Sequence, residues 1–309
     1  MKRQVLSLAI VLLIISTLFV PIAQAAVKAG DACSKKGFST TSKGVKYTCA
    51  KSGAKLFWRI ETPNKKHTAT PAASNVSVSW SFNEMSSTWV SHGNVPKCPV
   101  PLIAKGELLD FSKVLSIVQP GQIRGGSYKP HAGLRWSEYG SYVKNVFITA
   151  PFDGEIVGAS QYISEGNYQF LINIIHSCGV MLRLGHLLEP SEFMKNILKS
   201  IPPAVEMDSR ESFLSGVYIK KGQVIALEVG MPPPSPPDSL GTFMDLGIVD
   251  LRTKNPKLDS NFKSNADFKY SLYSVCWYEG KYFSDEDSAK ILSLPFSNGD
   301  STSDYCKRR

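Results

Sequence analysis

The sequence predicts a mainly β protein: an antiparallel β-sheet or sandwich with short peripheral helices, preceded by a small disulfide-pinned β module. Three observations carry this. Short apolar runs recur between Gly, Asp and Asn, at Asn145 to Ala150, Glu155 to Ser160, Tyr168 to His176, Val180 to Leu187, Gln223 to Val229 and Thr242 to Leu251. Tight turns separate several of them at hairpin spacing, notably Pro151-Phe152-Asp153-Gly154 and Ser177-Cys178-Gly179. Helical periodicity is confined to Ser191 to Lys199, with Phe193, Met194, Ile197 and Leu198 on one face, and to Asp285 to Leu292, opened by a Ser284-x-x-Asp287 capping box. With 309 residues, 43% apolar and 20% charged, the chain can bury a full core, which excludes wholesale disorder.

The elements follow in order. Residues 1–25 read as a secretory signal: Met1-Lys2-Arg3 is a positive start, Val5 to Val20 an apolar stretch, and Ala23-Gln24-Ala25 a small-residue cleavage site. No later run is long and apolar enough to predict a spanning helix, so the expected location is secreted or cell-wall associated. Residues 26–60 hold Gly30, Gly37, Gly44 and Gly53 between short β-prone pieces such as Val45 to Cys49, as in a two- or three-strand ribbon. Residues 61–96 are expected to form a linker, Thr-, Pro-, Ala- and Ser-rich up to about Ser79 and then bearing Trp80, Phe82 and Trp89. Residues 97–309 form the large domain, with its core at 120–252 and a polyproline-type loop at 231–237.

The six cysteines all follow the signal, and an even count in an exported chain favours disulfides over metal ligands. The domain division favours Cys33 with Cys49 and Cys276 with Cys306, leaving Cys98 with Cys178 by elimination. Charge is uneven. Without the signal the net charge is +7, yet residues 26–72 alone carry ten Lys and Arg against two acids, Asp31 and Glu61. Such a module would be drawn to polyanions, outside a bacterial cell an anionic envelope polymer rather than nucleic acid, unless its lysines serve only as a solvated surface. No Gly-rich phosphate loop and no G-x-S-x-G nucleophile elbow occurs.

Read in order, the large domain presents Pro130-His131-Ala132-Gly133-Leu134-Arg135, then ITAPFDGEIVGAS, INIIHSCGVMLRLGHL, IKKGQVIALEVG and GTFMDLGIVDLR. This order resembles the lysostaphin-type (LytM-like) zinc endopeptidases, built on the duplicated hybrid motif. The likeness covers about residues 120 to 252 and rests on the His-x-Gly spacing, the Ala-Pro-x-x-Gly turn, Gly185-His186-Leu187 and Gly222-Gln223-Val224. The N-terminal module resembles a short Cys-paired unit found ahead of unrelated domains in secreted bacterial proteins, which implies attachment.

The resemblance implies a zinc held by a His, an Asp four residues on, and the second His of His-x-His, with two further His assisting hydrolysis. Carried over, the first His is His131, the Asp is replaced by Arg135, the Tyr-x-His histidine is His186 behind Leu184, and His-x-His falls on Phe243-Met244-Asp245. Guanidinium stays protonated and offers no lone pair, so Arg135 argues against a metal. No cofactor is therefore expected. The expected replacement is an Arg135 to Asp245 salt bridge with His131 and His186 beside it. Trp136, with Tyr128, Tyr139 and Tyr142 nearby in sequence, would line a groove for carbohydrate or peptide, or else pack in the core.

The leading expectation is a secreted, non-catalytic peptidase-like protein that binds peptidoglycan or another envelope component. A rival is a working zinc endopeptidase with a rearranged site of His131, His186 and Asp245, and Glu138 or Glu165 as base. A third is an extracellular structural or interaction protein attached through its basic module.

Overall fold

A computed structural model describes residues 32–42, 45–52, 55–60, 78–83, 85–86, 88–136, 146–230, 242–258, 270–297 and 299–307. The expected signal, the polyproline loop and most of the expected linker lie outside them. The protein is mainly β and the chain divides into two compact units, residues 1–72 and 73–309.

In the first unit, strands β1 (Ser39–Ser42), β2 (Val45–Ser52) and β3 (Lys55–Ile60) form an antiparallel sheet in that order. A disulfide joins Cys33 to Cys49, across a separation of 16 residues. Cys49 is 1% exposed. So small a sheet has little else to bury, and closing a loop of this length contributes about 3 kcal/mol in the chain-entropy account.

In the second unit, the stretch expected to be the end of a linker folds. Strands β4 (Ser79–Asn83) and β5 (Thr88–His92) pair as a hairpin. Alternation sends Trp80 and Trp89 down onto Ile175, Met181, Val249, Leu251 and Tyr273. Trp80 Nε1 donates to the Ser177 carbonyl at 3.3 Å, and the Cys98–Cys178 disulfide ties the chain beyond the hairpin to the same turn. The tryptophans had to be buried somewhere, and this end of the sheet offers the apolar surface.

The strands that follow are β6 (Ser116–Val118), β7 (Gln122–Arg124), β8 (Ser127–Lys129), β9 (Ala132–Arg135), β10 (Ile148–Thr149), β11 (Gly154–Ser164), β12 (Asn167–Ile175) and β13 (Val180–Pro190). Helix α1 (Glu192–Leu198) comes next, then β14 (Val205–Glu206), β15 (Ser212–Phe213), β16 (Tyr218–Ile219), β17 (Val224–Val229), β18 (Phe243–Asp250), α2 (Asp285–Ser293) and β19 (Phe296–Ser297). The main path through the sheet is β14-β11-β12-β13-β18-β9-β6-β19, antiparallel except at its two ends. Both helices start where expected: Ser191 and Ser284 each accept a hydrogen bond from the backbone N–H three residues on. The third disulfide joins Cys276 to Cys306. Among the described residues no helix is long and apolar enough to cross a membrane.

Period-two alternation gives the sheet two different faces. One buries Phe170, Ile172 and Ile174 of β12, Leu182 and Leu184 of β13, Leu246 and Ile248 of β18, and Leu134 of β9 in the main core. The opposite face, over the centre of the sheet, carries Gln169 and Asn173, Arg183 and Gly185, Asp245 and Gly247, and Gly133 and Arg135. The polar residues are therefore gathered by register alone.

Candidate functional site

Asp245 is the centre of this polar face. In β18 it lies opposite Gly185 of β13 on one side and Gly133 of β9 on the other. A Cβ at Gly185 would sit 3.2 Å from the Asp245 Cβ, and one at Gly133 would strike the Phe243 ring at 2.2 Å. The two glycines thus leave room for side chains to converge above the strand.

His131 reaches Asp245 because it precedes β9 on the side shared by Gly133. Its Nε2 lies 3.0 Å from Asp245 Oδ2. His186 arrives by a different route. Strict alternation after Arg183 and Gly185 would turn it into the core, but the pairing of β12 with β13 slips here, with Phe170 opposite Leu187 and Ile172 opposite Leu184. His186 takes the bulge, at φ 55°, so both it and Gly185 stay on the polar face and Leu187 returns to the core. Its Nε2 is 3.5 Å from Asp245 Oδ2 and its Nδ1 is 2.6 Å from Gln169 Oε1. Phe243 and Tyr162 pack edge-on to its ring.

The expected Arg135 to Asp245 salt bridge is absent, and the cation beside Asp245 is Arg124. Its Nη2 lies 4.0 Å from Asp245 Oδ1 and donates to the His131 carbonyl at 2.8 Å. The reason is register. Arg135 is paired with Phe243, and Asp245 with Gly133, so Arg135 is diagonal to the carboxylate while the Phe243 ring leans over Gly133 into the gap between them. Arg124 comes in from above, on the β7–β8 hairpin turned at Gly125 and Gly126, both at positive φ. The C-terminal segment holds that hairpin: Ile123 N donates to Ser301 Oγ at 2.9 Å, Gly126 N to Asp300 Oδ2 at 3.2 Å, and Asp300 N back to the Ile123 carbonyl at 2.8 Å. Just beyond, Cys306 is held to Cys276.

Trp136 does not line a groove. It falls on the core side of β9, 4% exposed, and donates its backbone N–H to the Thr242 carbonyl. Tyr128 is partly buried against the same core. Tyr139, Tyr142 and Glu138 lie outside the described residues. Glu165 sits in the β11–β12 turn at φ 53°, away from the polar face's centre.

A second polar group shares the face. Gly247 separates it from the first, since a Cβ there would touch the Cβ atoms of both His131 and Arg183. Arg183 pairs with Glu211, which also accepts hydrogen bonds from Asn173 and the Tyr270 hydroxyl. Neither Glu211 nor Tyr270 carries a motif in sequence; their role follows from loops that fold back over the sheet.

Burial would raise the Asp245 pKa, but His131, His186 and Arg124 outweigh it and hold the carboxyl well below the usual range. Burial lowers the His131 pKa from 6.5 to about 4, against the pull of Asp245, and lowers that of His186 as well. At pH 7 the group is therefore a carboxylate, a guanidinium and two neutral imidazoles. His131 then donates Nε2–H to Asp245. Gln169 Nε2 is a buried donor without an acceptor, and turning that amide end for end would let it donate to His186 Nδ1, freeing Nε2–H for Asp245.

These shifts give a pH prediction. A histidine whose folded pKa is depressed contributes stability that is complete above 6.5 and is lost as pH falls toward about 4, because only the unfolded state takes up the proton in that window. Thermal melts should show a falling Tm from pH 6.5 to 4, with His131 accounting for about 3 kcal/mol. His131→Gln should flatten the profile; a variant with the wild-type slope would show that this imidazole is not the buried neutral group.

The zinc implied by the resemblance does not fit. Tetrahedral zinc draws its ligand atoms to about 2.0–2.3 Å from the ion. Among the described residues, the one group of three His, Cys, Asp or Glu whose ligand atoms all lie within 4.8 Å of each other is Cys276, Glu279 and Cys306, and its cysteines are consumed by their disulfide. His131, His186 and Asp245 do not form such a group, and a guanidinium stands against the carboxylate. No protein-family model matches this chain, nor does any curated protein.

Proposed function

We propose that this chain is a secreted, non-hydrolytic, peptidase-like protein that binds peptidoglycan or another envelope component through the polar face of its large sheet. It would be a degenerate relative of the lysostaphin-type endopeptidases, needing no metal. The observation that supports this is the compensation of Asp245: its charge is met by Arg124 and its Oδ2 by two imidazoles, where a hydrolase would keep an ion and a water. The basic N-terminal module would add a salt-sensitive attachment to anionic polymers. A hydrolytic reading draws on the convergence of both Nε2 atoms on one carboxylate oxygen, but it requires Arg124 to leave.

The test is direct. Purified tag-free protein is analysed for zinc, mixed with isolated sacculi, and the supernatant searched for released muropeptides with and without chelator. Co-sedimentation with the sacculi, zinc far below one per chain and no release is the expected result. Stoichiometric zinc with chelator-sensitive release would establish the endopeptidase instead, and failure to co-sediment would remove the proposed partner.

A further inference from the structure

We infer that the polar face recognises a free carboxylate, with Arg135 as the residue that grips it. This deepens the reading of the face as a binding surface and rests on it.

The Arg135 side chain is a partly buried cation with no hydrogen bond or ion pair among the described residues, and its Nε is buried without an acceptor. Among the described residues the anion on this part of the face is Asp245, already committed to His131, His186 and Arg124, and the Phe243 ring stands between it and Arg135. Arg124 is itself only partly used. One terminal nitrogen serves the His131 carbonyl and, at 4.0 Å, Asp245, while its Nε is also buried without an acceptor. Arg124 feels the charge of Arg135, and Lys129 adds a third cation felt at His186.

Three cations therefore face a single neutralised carboxylate. Leaving guanidinium donors unpaired in a partly desolvated place is costly, and a planar, two-oxygen anion satisfies them with matched geometry. A carboxylate fits better than a neutral sugar, which could neither balance the charge nor accept in a fork. In a wall polymer the free C-terminus of a peptide stem has this chemistry. The ligand class is thus a free peptide carboxylate rather than a neutral glycan strand.

The probe is diacetyl-Lys-D-Ala-D-Ala as the free acid, compared with its C-terminal amide, titrated into the full chain and followed by calorimetry and by the ¹⁵Nε–¹H signals of arginine. The free acid should bind about tenfold or more tightly than the amide and shift the Arg135 signal. Arg135→Gln should lose that preference with circular dichroism unchanged and Tm equal to or above that of the wild type, since the unpaired guanidinium is costly to the free protein, and Arg135→Lys, which keeps charge but not the fork, should fall between. Equal binding of acid and amide, wild-type affinity in Arg135→Gln, or no saturation by the free acid would overturn the inference. Sacculus binding by the wild type is scored separately: if it persists while the peptide arms fail, the carboxylate assignment falls and the envelope reading stands.

Discussion

Asp245→Ala should destabilise the large unit by about 3–5 kcal/mol, because it strips the anion from a buried cluster and leaves its cation behind. The side chain is 14% exposed and the Arg124 guanidinium 15%, so water cannot take over the lost contact cheaply. His131 would lose its acceptor at 3.0 Å, while its Nδ1 already lacks a partner. Chemical unfolding followed by near-ultraviolet circular dichroism measures the loss as a lower midpoint at unchanged slope. The double variant Arg124→Met with Asp245→Ala should recover part of it, since removing both charges costs less than stranding one. If the double variant were no more stable than the single, the loss would come from packing rather than from an orphaned charge.

Glu211→Ala should cost as much, about 3–5 kcal/mol, through the neighbouring group. Arg183 is 8% exposed in the middle of the sheet, and Glu211 is its counter-ion as well as the acceptor for Asn173 and Tyr270. One truncation therefore takes this counter-ion from a buried cation and an acceptor from two polar side chains, leaving the weaker links of Arg183 and Asn173 to the Tyr270 hydroxyl to hold the group. Glu211→Gln keeps an acceptor oxygen and should lose roughly half as much. Amide exchange gives an independent reading: protection should fall at β15 and around Tyr270, which Glu211 holds over the sheet, while the β12–β13 hairpin stays protected. Uniform loss across the sheet would contradict a local role.

The two clusters explain why the site was only partly legible. His131 and His186 stand out by spacing against the Gly pattern around them, and Asp245 by its place in the last long strand. What no spacing reveals is which arginine approaches the carboxylate. Arg135 is nearer along the pattern, yet it lies two residues along β9 from Gly133, the position opposite Asp245, and the Phe243 ring fills the difference. Arg124 sits in a hairpin whose position depends on Asp300 and Ser301, some 175 residues later. Trp136 shows the same limit in reverse: beside His131 in sequence, it is turned to the core by strand parity.

Local sequence was enough for the mainly β class, the long strands β11, β12, β13 and β18, the two helices and the favoured bridges Cys33–Cys49 and Cys276–Cys306, whereas Cys98–Cys178 remained by elimination alone until the fold placed it. These follow from local periodicity, turn chemistry and chain distance, which are written in neighbouring residues. The folded chain was needed to show that residues 79–92 form a hairpin on the large sheet, that a bulge turns His186 outward, and that Arg124 rather than Arg135 meets Asp245. Those outcomes hang on register, on side-chain bulk across strands and on contacts between distant segments, where a shift of one residue exchanges one face of the sheet for the other.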